Sequence, residues 1–183
     1  MQRFNNWYVV TGGPSTGKTT LLAELEKLGY KTVPEAARTH IDSALSRGIS
    51  VAELRKDEKK FQEEVTKLKQ AIERGLNPKE IVFLDRGMHD TLAYLHHYGF
   101  VVENWVEELM HEASYSAVFL LEPLAEYVED YARTEDEKFT HALHRLLHEA
   151  YATFGMEPVY VPPMSVEDRV KFVLSHIKQE QPA

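Results

Sequence analysis

The run GGPSTGKTT, Gly12 to Thr20, sets Gly12 four residues ahead of Gly17-Lys18-Thr19, the G-x-x-x-x-G-K-[ST] spacing of a phosphate cradle. Gly12, Gly13 and Gly17 let the backbone turn its N–H groups inward, so anionic oxygens meet donors with no side chain in the way. A helix opening after Gly17 adds the positive end of its dipole. Lys18 is long enough to reach the β- and γ-phosphates, and the Thr19 hydroxyl suits Mg²⁺. The whole stretch of Gly12, Gly13, Pro14, Ser15, Thr16, Gly17, Lys18, Thr19 and Thr20 is therefore expected to hold ATP with Mg²⁺. The cradle says nothing about where the phosphate goes.

Three further stretches bear on that. VPEAARTH places Glu35 and Arg38 just beyond Val33, where an apolar segment ends. A carboxylate there can deprotonate an acceptor hydroxyl or hold a magnesium-bound water; equally, Glu35 suits the first turn of a helix behind Pro34. IVFLDRGMHDTLAYL ends an apolar segment in Asp85, followed by Arg86 and Gly87. An aspartate at such a tip suits the magnesium shell and Arg86 can face a phosphate, whereas Asp90, in the next helical turn, reads as a cap. EDYARTEDEKFTHALHRLLHEAY carries Arg133 and Arg145. An arginine on a closing lid would bring positive charge to the transferring phosphoryl group, with Arg133 the first candidate and Arg145 the second; surface ion pairs with the nearby glutamates are the alternative. His141, His144 and His148 share a helix face but lack a carboxylate at a known metal-site spacing, so they read as ordinary helix residues.

These groups need elements to hold them. WYVVT before the glycine run is aromatic and β-branched, as a buried strand is, and Leu21, Leu22, Leu25 and Leu28 after it fall at helical spacing before Gly29. YKTV, IVFLD, SAVFLL and EPVYV add four short strands interleaved with helical segments, a pattern that predicts a parallel sheet with its ligands at the carboxyl ends of the strands. A single long amphipathic helix is expected from about Ser50 to Arg74, opened by the capping box Ser50-Val-Ala-Glu53, with RKDEKKFQEE as a solvated face. A last helix is expected from Ser165 to about Lys178, again behind a capping box. No repeat, low-complexity segment or Pro/Gly-rich linker divides the chain, so residues 1–183 are expected to form a single domain.

A net charge of −8 weighs against broad nucleic-acid binding, though not against a local basic pocket for a nucleotide. The absence of cysteine excludes a disulfide scaffold and Cys-ligated zinc and is compatible with a reducing cytosol. No apolar run reaches membrane-spanning length, and MQRFNNWYVV lacks a signal-peptide core. A cytoplasmic protein with no membrane or nucleic-acid partner is expected, its oligomeric state open.

Taken in order, GGPSTGKTT, VPEAAR, FLDRGMHDTLAYL, an arginine-bearing lid segment and VYVPPMSVEDRV resemble the AAA-type predicted ATPase family. That family is similar to small P-loop kinases, among them the nicotinamide riboside kinase domain of a bacterial NAD-biosynthesis regulator. More distantly, PE and DRG resemble motifs of deoxynucleoside and thymidylate kinases, where Ser or Tyr usually stands in place of Gly87. The resemblance spans nearly the whole chain. It implies a three-layer α/β P-loop NTPase fold, a five-stranded mainly parallel sheet with flanking helices, nucleoside/nucleotide-kinase-like with a helical lid. It further implies Glu35 as acceptor-side base, Asp85 as a magnesium-shell acid, Arg86 as a phosphate contact and Arg133 as a lid residue. The expected activity is transfer of the γ-phosphate of Mg·ATP to a small hydroxyl-bearing or phosphorylated metabolite, nucleoside- or vitamin-like; the alternative is an ATPase or an ATP-sensing switch acting on a protein partner. No Asn-Lys-x-Asp is present to read guanine, and Asp85-Arg86-Gly87 is too short for a GTPase switch.

Overall fold

The computed structural model describes residues 5–123 and 137–177. β1 (Trp7–Thr11), the innermost strand, leads through the glycine run into α1 (Lys18–Lys27), which is followed by β2 (Lys31–Val33) and α2 (Ala36–Ser46). α3 (Val51–Leu54) and α4 (Glu58–Arg74) precede β3 (Val82–Asp85) and α5 (Asp90–His97). α6 (Asn104–Glu112), β4 (Ala117–Leu121), α7 (Glu137–Ala152), β5 (Val159–Val161) and α8 (Val166–Ser175) complete the described order.

The sheet order is β2-β3-β1-β4-β5, and every pairing is parallel. Such a sheet is covered on both faces, so its strands read as continuous apolar runs. Alternation within β1 shows it. Val9 faces a core shared with Leu84, Val118, Leu120, α5, α6 and α7, while Tyr8 and Val10 face another shared with Phe83, Phe119, α1 and α8. Register then places Val10 beside Asp85 and Thr11 beside Leu120, bringing the carboxyl ends of β1 and β3 to one edge with the glycine run.

The expected single helix over 50–74 is broken. Ser50 caps α3, its Oγ accepting the Glu53 N–H at 3.2 Å as the sequence implied, but the chain leaves the helix after Leu54 and restarts with Asp57 accepting the Lys60 N–H at 3.0 Å. Aspartate competes for backbone donors at a helix start, and here that preference wins over continuity. Arg55 at the break bonds Glu58 at 2.9 Å and the Tyr98 hydroxyl at 3.0 Å. The charged run is therefore not solvated throughout: Phe61 and Gln62 are buried, and Lys69 one turn beyond Val65 is buried too. α8 begins as expected with Ser165 Oγ accepting the Asp168 N–H at 3.1 Å, and ends at Ser175.

Candidate functional site

The glycine run is shaped by backbone conformations that side chains resist. Gly12 has φ +147, and a Cβ there would meet the Leu121 carbonyl oxygen at 2.8 Å. Gly17, at the start of α1, has φ +84, and Ser15 adopts φ +57 without being glycine. A non-glycine residue at positive φ costs about 1 kcal/mol or more and survives where the surroundings over-determine it. Thr16 Oγ1 donates to the Gly13 carbonyl at 3.0 Å, and Arg169 of α8 donates to the Thr16 carbonyl at 2.5 Å from behind. Arg169 also reaches the carbonyls of Pro162 and Glu122, tying the cradle to the ends of β4 and β5. Sequence reasoning took α8 for packing alone and missed Arg169, although it stands on the stripe with Val166, Val170 and Val173.

Lys18 is buried, its Nζ donating to the carbonyls of Gly12 at 2.9 Å and Gly13 at 2.7 Å. Thr19 and Thr20 are exposed at the start of α1, Pro14 is buried and Ser15 half-buried. Across the edge, Asp85 at the tip of β3 is buried, and its Oδ1 has no hydrogen-bond partner. Burial pushes its carboxyl up to about 6, reinforced by the charge of Glu35 and opposed by Lys18 and Arg86. A buried carboxylate oxygen without a donor is uncommon in a finished core and marks a place where a ligand's charge belongs.

Glu35 stands at the start of α2 without capping it; its Oε1 accepts instead from Arg86 Nε at 3.1 Å, across 51 residues of sequence. Arg86 adopts φ +68 and is held on all sides. Its Nη1 donates to the Gly12 carbonyl and to Asp90 Oδ2, each at 3.0 Å, and its guanidinium lies over the Tyr94 ring. Arg86, expected to face a phosphate, also joins the cradle, the Glu35 carboxylate and α5. Pro14, Glu35, Arg38 and Arg86 line one cleft together with Phe61, Gln62 and Lys69 of α4. Glu35, Arg38 and Arg86 are therefore brought together as expected.

Behind the edge lies a polar scaffold that sequence reasoning read only as a helix cap. Asp90 is fully buried; Oδ2 accepts from the Thr11 hydroxyl at 2.7 Å and from Arg86, Oδ1 from the Tyr151 hydroxyl and the Gly87 N–H. Burial alone would raise its pKa, but Arg86, Lys69 and the hydroxyl donors hold it below the ordinary value. The Gly87 N–H also reaches Tyr151, and a Cβ at Gly87 would lie 2.7 Å from that hydroxyl, so any larger residue here must push it aside. Arg145 is exposed on α7, and among the described residues no cluster of three or more His, Cys, Asp or Glu side chains is placed to hold a metal ion. Arg133 lies outside the described residues.

Fold and site define an α/β protein with a P-loop at the carboxyl edge of a five-stranded parallel sheet. The chain belongs to the AAA domain family, whose model matches residues 7–169. No curated protein matches the chain. Among solved structures, a deoxyadenosine kinase from M. mycoides with bound dATP is similar at 16% identity and TM-score 0.66, over 94% of this chain and 100% of that one. NadR in complex with NR is similar at 20% identity and TM-score 0.73, over 98% of this chain and 53% of that one; this chain thus spans about half of NadR. NadR with NAD and AMP-PNP is similar at 19% identity and TM-score 0.64, over 98% of this chain and 51% of that one. Likeness at these identities establishes the fold. No helix among the described residues is long and apolar enough to cross a membrane.

Proposed function

We propose that residues 1–183 work as one kinase-like domain that transfers the γ-phosphate of ATP to a small hydroxyl-bearing or phosphorylated acceptor in the cytoplasm. The observation that carries this is the shared cleft: cradle residue Pro14 and the Glu35–Arg86 pair line the same walled space. An enzyme that hands phosphate only to water has no need of such a wall beside its P-loop. That structures similar in fold were solved with dATP and with AMP-PNP supports a nucleotide at the same edge.

In this reading Gly12 to Thr20 hold the triphosphate and Lys18 exchanges its loop carbonyls for phosphate oxygens. Glu35 accepts the proton of the acceptor hydroxyl, whose oxygen forms the new O–P bond as the bond to the β-phosphate oxygen breaks and ADP leaves. Arg86 keeps that carboxylate aimed, and Arg38 contributes to acceptor binding. The unpartnered oxygen of Asp85 and the exposed Thr19 hydroxyl fit Mg²⁺, which when bound neutralises charge on the phosphates. Arg133 is assigned to the lid, with Arg145 as second candidate.

The test is ADP release with and without a panel of small alcohols and phosphorylated metabolites, with mass spectrometry of the products. Acceptor-dependent release is expected, and Glu35→Gln should slow transfer by about 100-fold while ATP affinity holds. Fast hydrolysis with no phosphorylated product, unchanged in Glu35→Gln, would replace the kinase with an ATPase or an ATP-sensing switch.

A further inference from the structure

The acceptor side of the cleft carries more positive charge than the Glu35–Arg86 pair uses. Arg38, Arg55, Lys69 and Arg86 line it against the one carboxylate of Glu35, in a chain of net charge −8. Arg86 is matched by Glu35 and Asp90, and Arg55 by Glu58. Lys69 feels the charges of Asp90, Glu73 and Glu35 but makes no direct ion pair. It is 7% exposed, and its Nζ donates to the Gly87 carbonyl at 2.9 Å and the Thr91 hydroxyl at 3.4 Å, both neutral; among the described residues it pairs with no carboxylate.

An ammonium group whose direct hydrogen-bond partners are both neutral carries a desolvation cost that the carboxylates of Asp90, Glu73 and Glu35 offset only from a distance and that a methionine in its place would avoid. Burial pushes the Lys69 pKa down, with the charge of Asp90 opposing. The residue stands on the buried stripe of α4 with Phe61 and Val65, where packing alone would be served by an apolar side chain. A cation retained there, at the wall of a cleft, is accounted for by a negative partner that arrives in the cleft.

Resting on the kinase reading above, we propose that the acceptor is itself an anion: a small hydroxyl-bearing metabolite with a phosphomonoester or carboxylate group that Lys69, with Arg38, recognises. Ile41, Phe61 and Val65 contact its carbon skeleton, and the hydroxyl is directed to Glu35. An uncharged analogue of the same skeleton leaves Lys69 without its counter-charge, so the site selects by charge before it selects by shape.

The test uses glycerol, glycerate and glycerol 3-phosphate as matched probes, with AMP-PNP and Mg²⁺ saturating the P-loop so that no anion binds there. Saturation-transfer NMR should give the two anions at least about tenfold tighter binding than glycerol, the usual worth of a charge-assisted hydrogen bond. Lys69→Met and Arg38→Gln should each remove most of that advantage while AMP-PNP affinity stays constant. The ranking of glycerate against glycerol 3-phosphate separates a carboxylate from a phosphomonoester. Equal binding of glycerol and the anions overturns the proposal, as does a Lys69→Met protein that binds AMP-PNP and keeps the preference. If Lys69→Met fails to fold, Arg38→Gln and the glycerol comparison decide in the same way. ADP release with the same probes is scored separately. Anion binding without phosphate transfer to any acceptor removes the kinase reading and leaves the anion site; faster transfer to neutral than to anionic acceptors removes the anion site and leaves the kinase.

Discussion

At the tip of β3, Asp85 keeps a buried oxygen without a donor; at the start of α5, Asp90 gives both of its oxygens to hydroxyl, guanidinium and amide donors. The same residue type is pushed up to about 6 at the first position and held below its ordinary value at the second. Burial raises both. The difference is the company each keeps, and it separates two regions: a support in which the protein satisfies both oxygens of Asp90, and an edge at which Asp85 is satisfied only in part. The scaffold serves the edge through Arg86, which touches Asp90, Glu35 and the Gly12 carbonyl at once. Well-bonded support behind an under-bonded edge is what a preorganised site requires.

The strongest way to break this contrast is to exchange the fates of the two aspartates. Asp90→Ala removes the acceptor for four donors and should cost about 3–5 kcal/mol in urea unfolding, as loss of one partner in a buried ion pair does. Asp85→Asn removes a charge whose burial is disfavoured, so its stability should equal or exceed wild type while its magnesium requirement rises. If the two variants unfold alike, the division into scaffold and edge fails.

Next in size is Lys18→Ala. Its ammonium group donates to loop oxygens of Gly12, Gly13 and Thr16, outside the hydrophobic core, so folding should survive, while turnover should fall by about 100-fold or more with weakened ATP binding. Calorimetry with ATP, alongside a melting curve, checks both halves. A folded variant with unchanged affinity and rate would remove the cradle from the mechanism.

The cradle was legible in the sequence because its chemistry is written in contiguous residues, and Asp85 because an apolar strand delivers it to the edge. Glu35 was ambiguous between base and helix start, and only Arg86, 51 residues away, explains why it does not cap α2. Gln62 vanished into a run of mixed charge that looked solvated, and Lys69, beyond that run, drew no reading although it falls at the helical spacing of Phe61 and Val65, the one signal that it faces inward. Tyr151 and Tyr115 meet the site through long-range packing that no local pattern records, and the stripe on α8 that turns Arg169 inward does not say which carbonyl it will reach. The helix break at Arg55 was lost for the reverse reason: a capping aspartate was outweighed in the sequence by charges well spaced for one helix.

Gly87 sharpens the comparison from the backbone side. A Cβ there would meet the Tyr151 hydroxyl at 2.7 Å and Val9 Cγ2 at 2.8 Å, in a region with no slack. Gly87→Ala should cost about 2 kcal/mol, typical of overpacking, and Tyr151→Phe should recover part of it by withdrawing the oxygen. A double-mutant cycle by thermal unfolding measures the coupling. Additive losses would mean that Tyr151 does not set the size limit at position 87.

The smallest effect probes the boundary between the two regions. Glu73 accepts from the Tyr115 hydroxyl at 2.7 Å, and that hydroxyl accepts the Met88 N–H at 2.7 Å, so the chain of bonds ends just past the Asp85-Arg86-Gly87 turn. Burial pushes the Glu73 carboxyl from its ordinary 4.5 up to about 7, against the Tyr115 hydrogen bond and the charge of Lys69. The sign follows from linkage. The folded state favours the protonated acid, so there is no penalty below pH 4.5, where folded and unfolded chains are both protonated; the loss grows as pH rises through about 7. Glu73→Gln keeps an acceptor oxygen for Tyr115 and removes the titration. Its stability relative to wild type should therefore be flat in acid, rise across that window and level off above it. Because Glu73 is half-buried, the gain should be about 1 kcal/mol, less than the full shift would give. Unfolding midpoints at pH 4, 6 and 8 decide it: a difference that does not vary with pH means the carboxylate is accommodated as well as Asp90 is, and a difference that widens in acid means the scaffold extends through Glu73 and holds it charged.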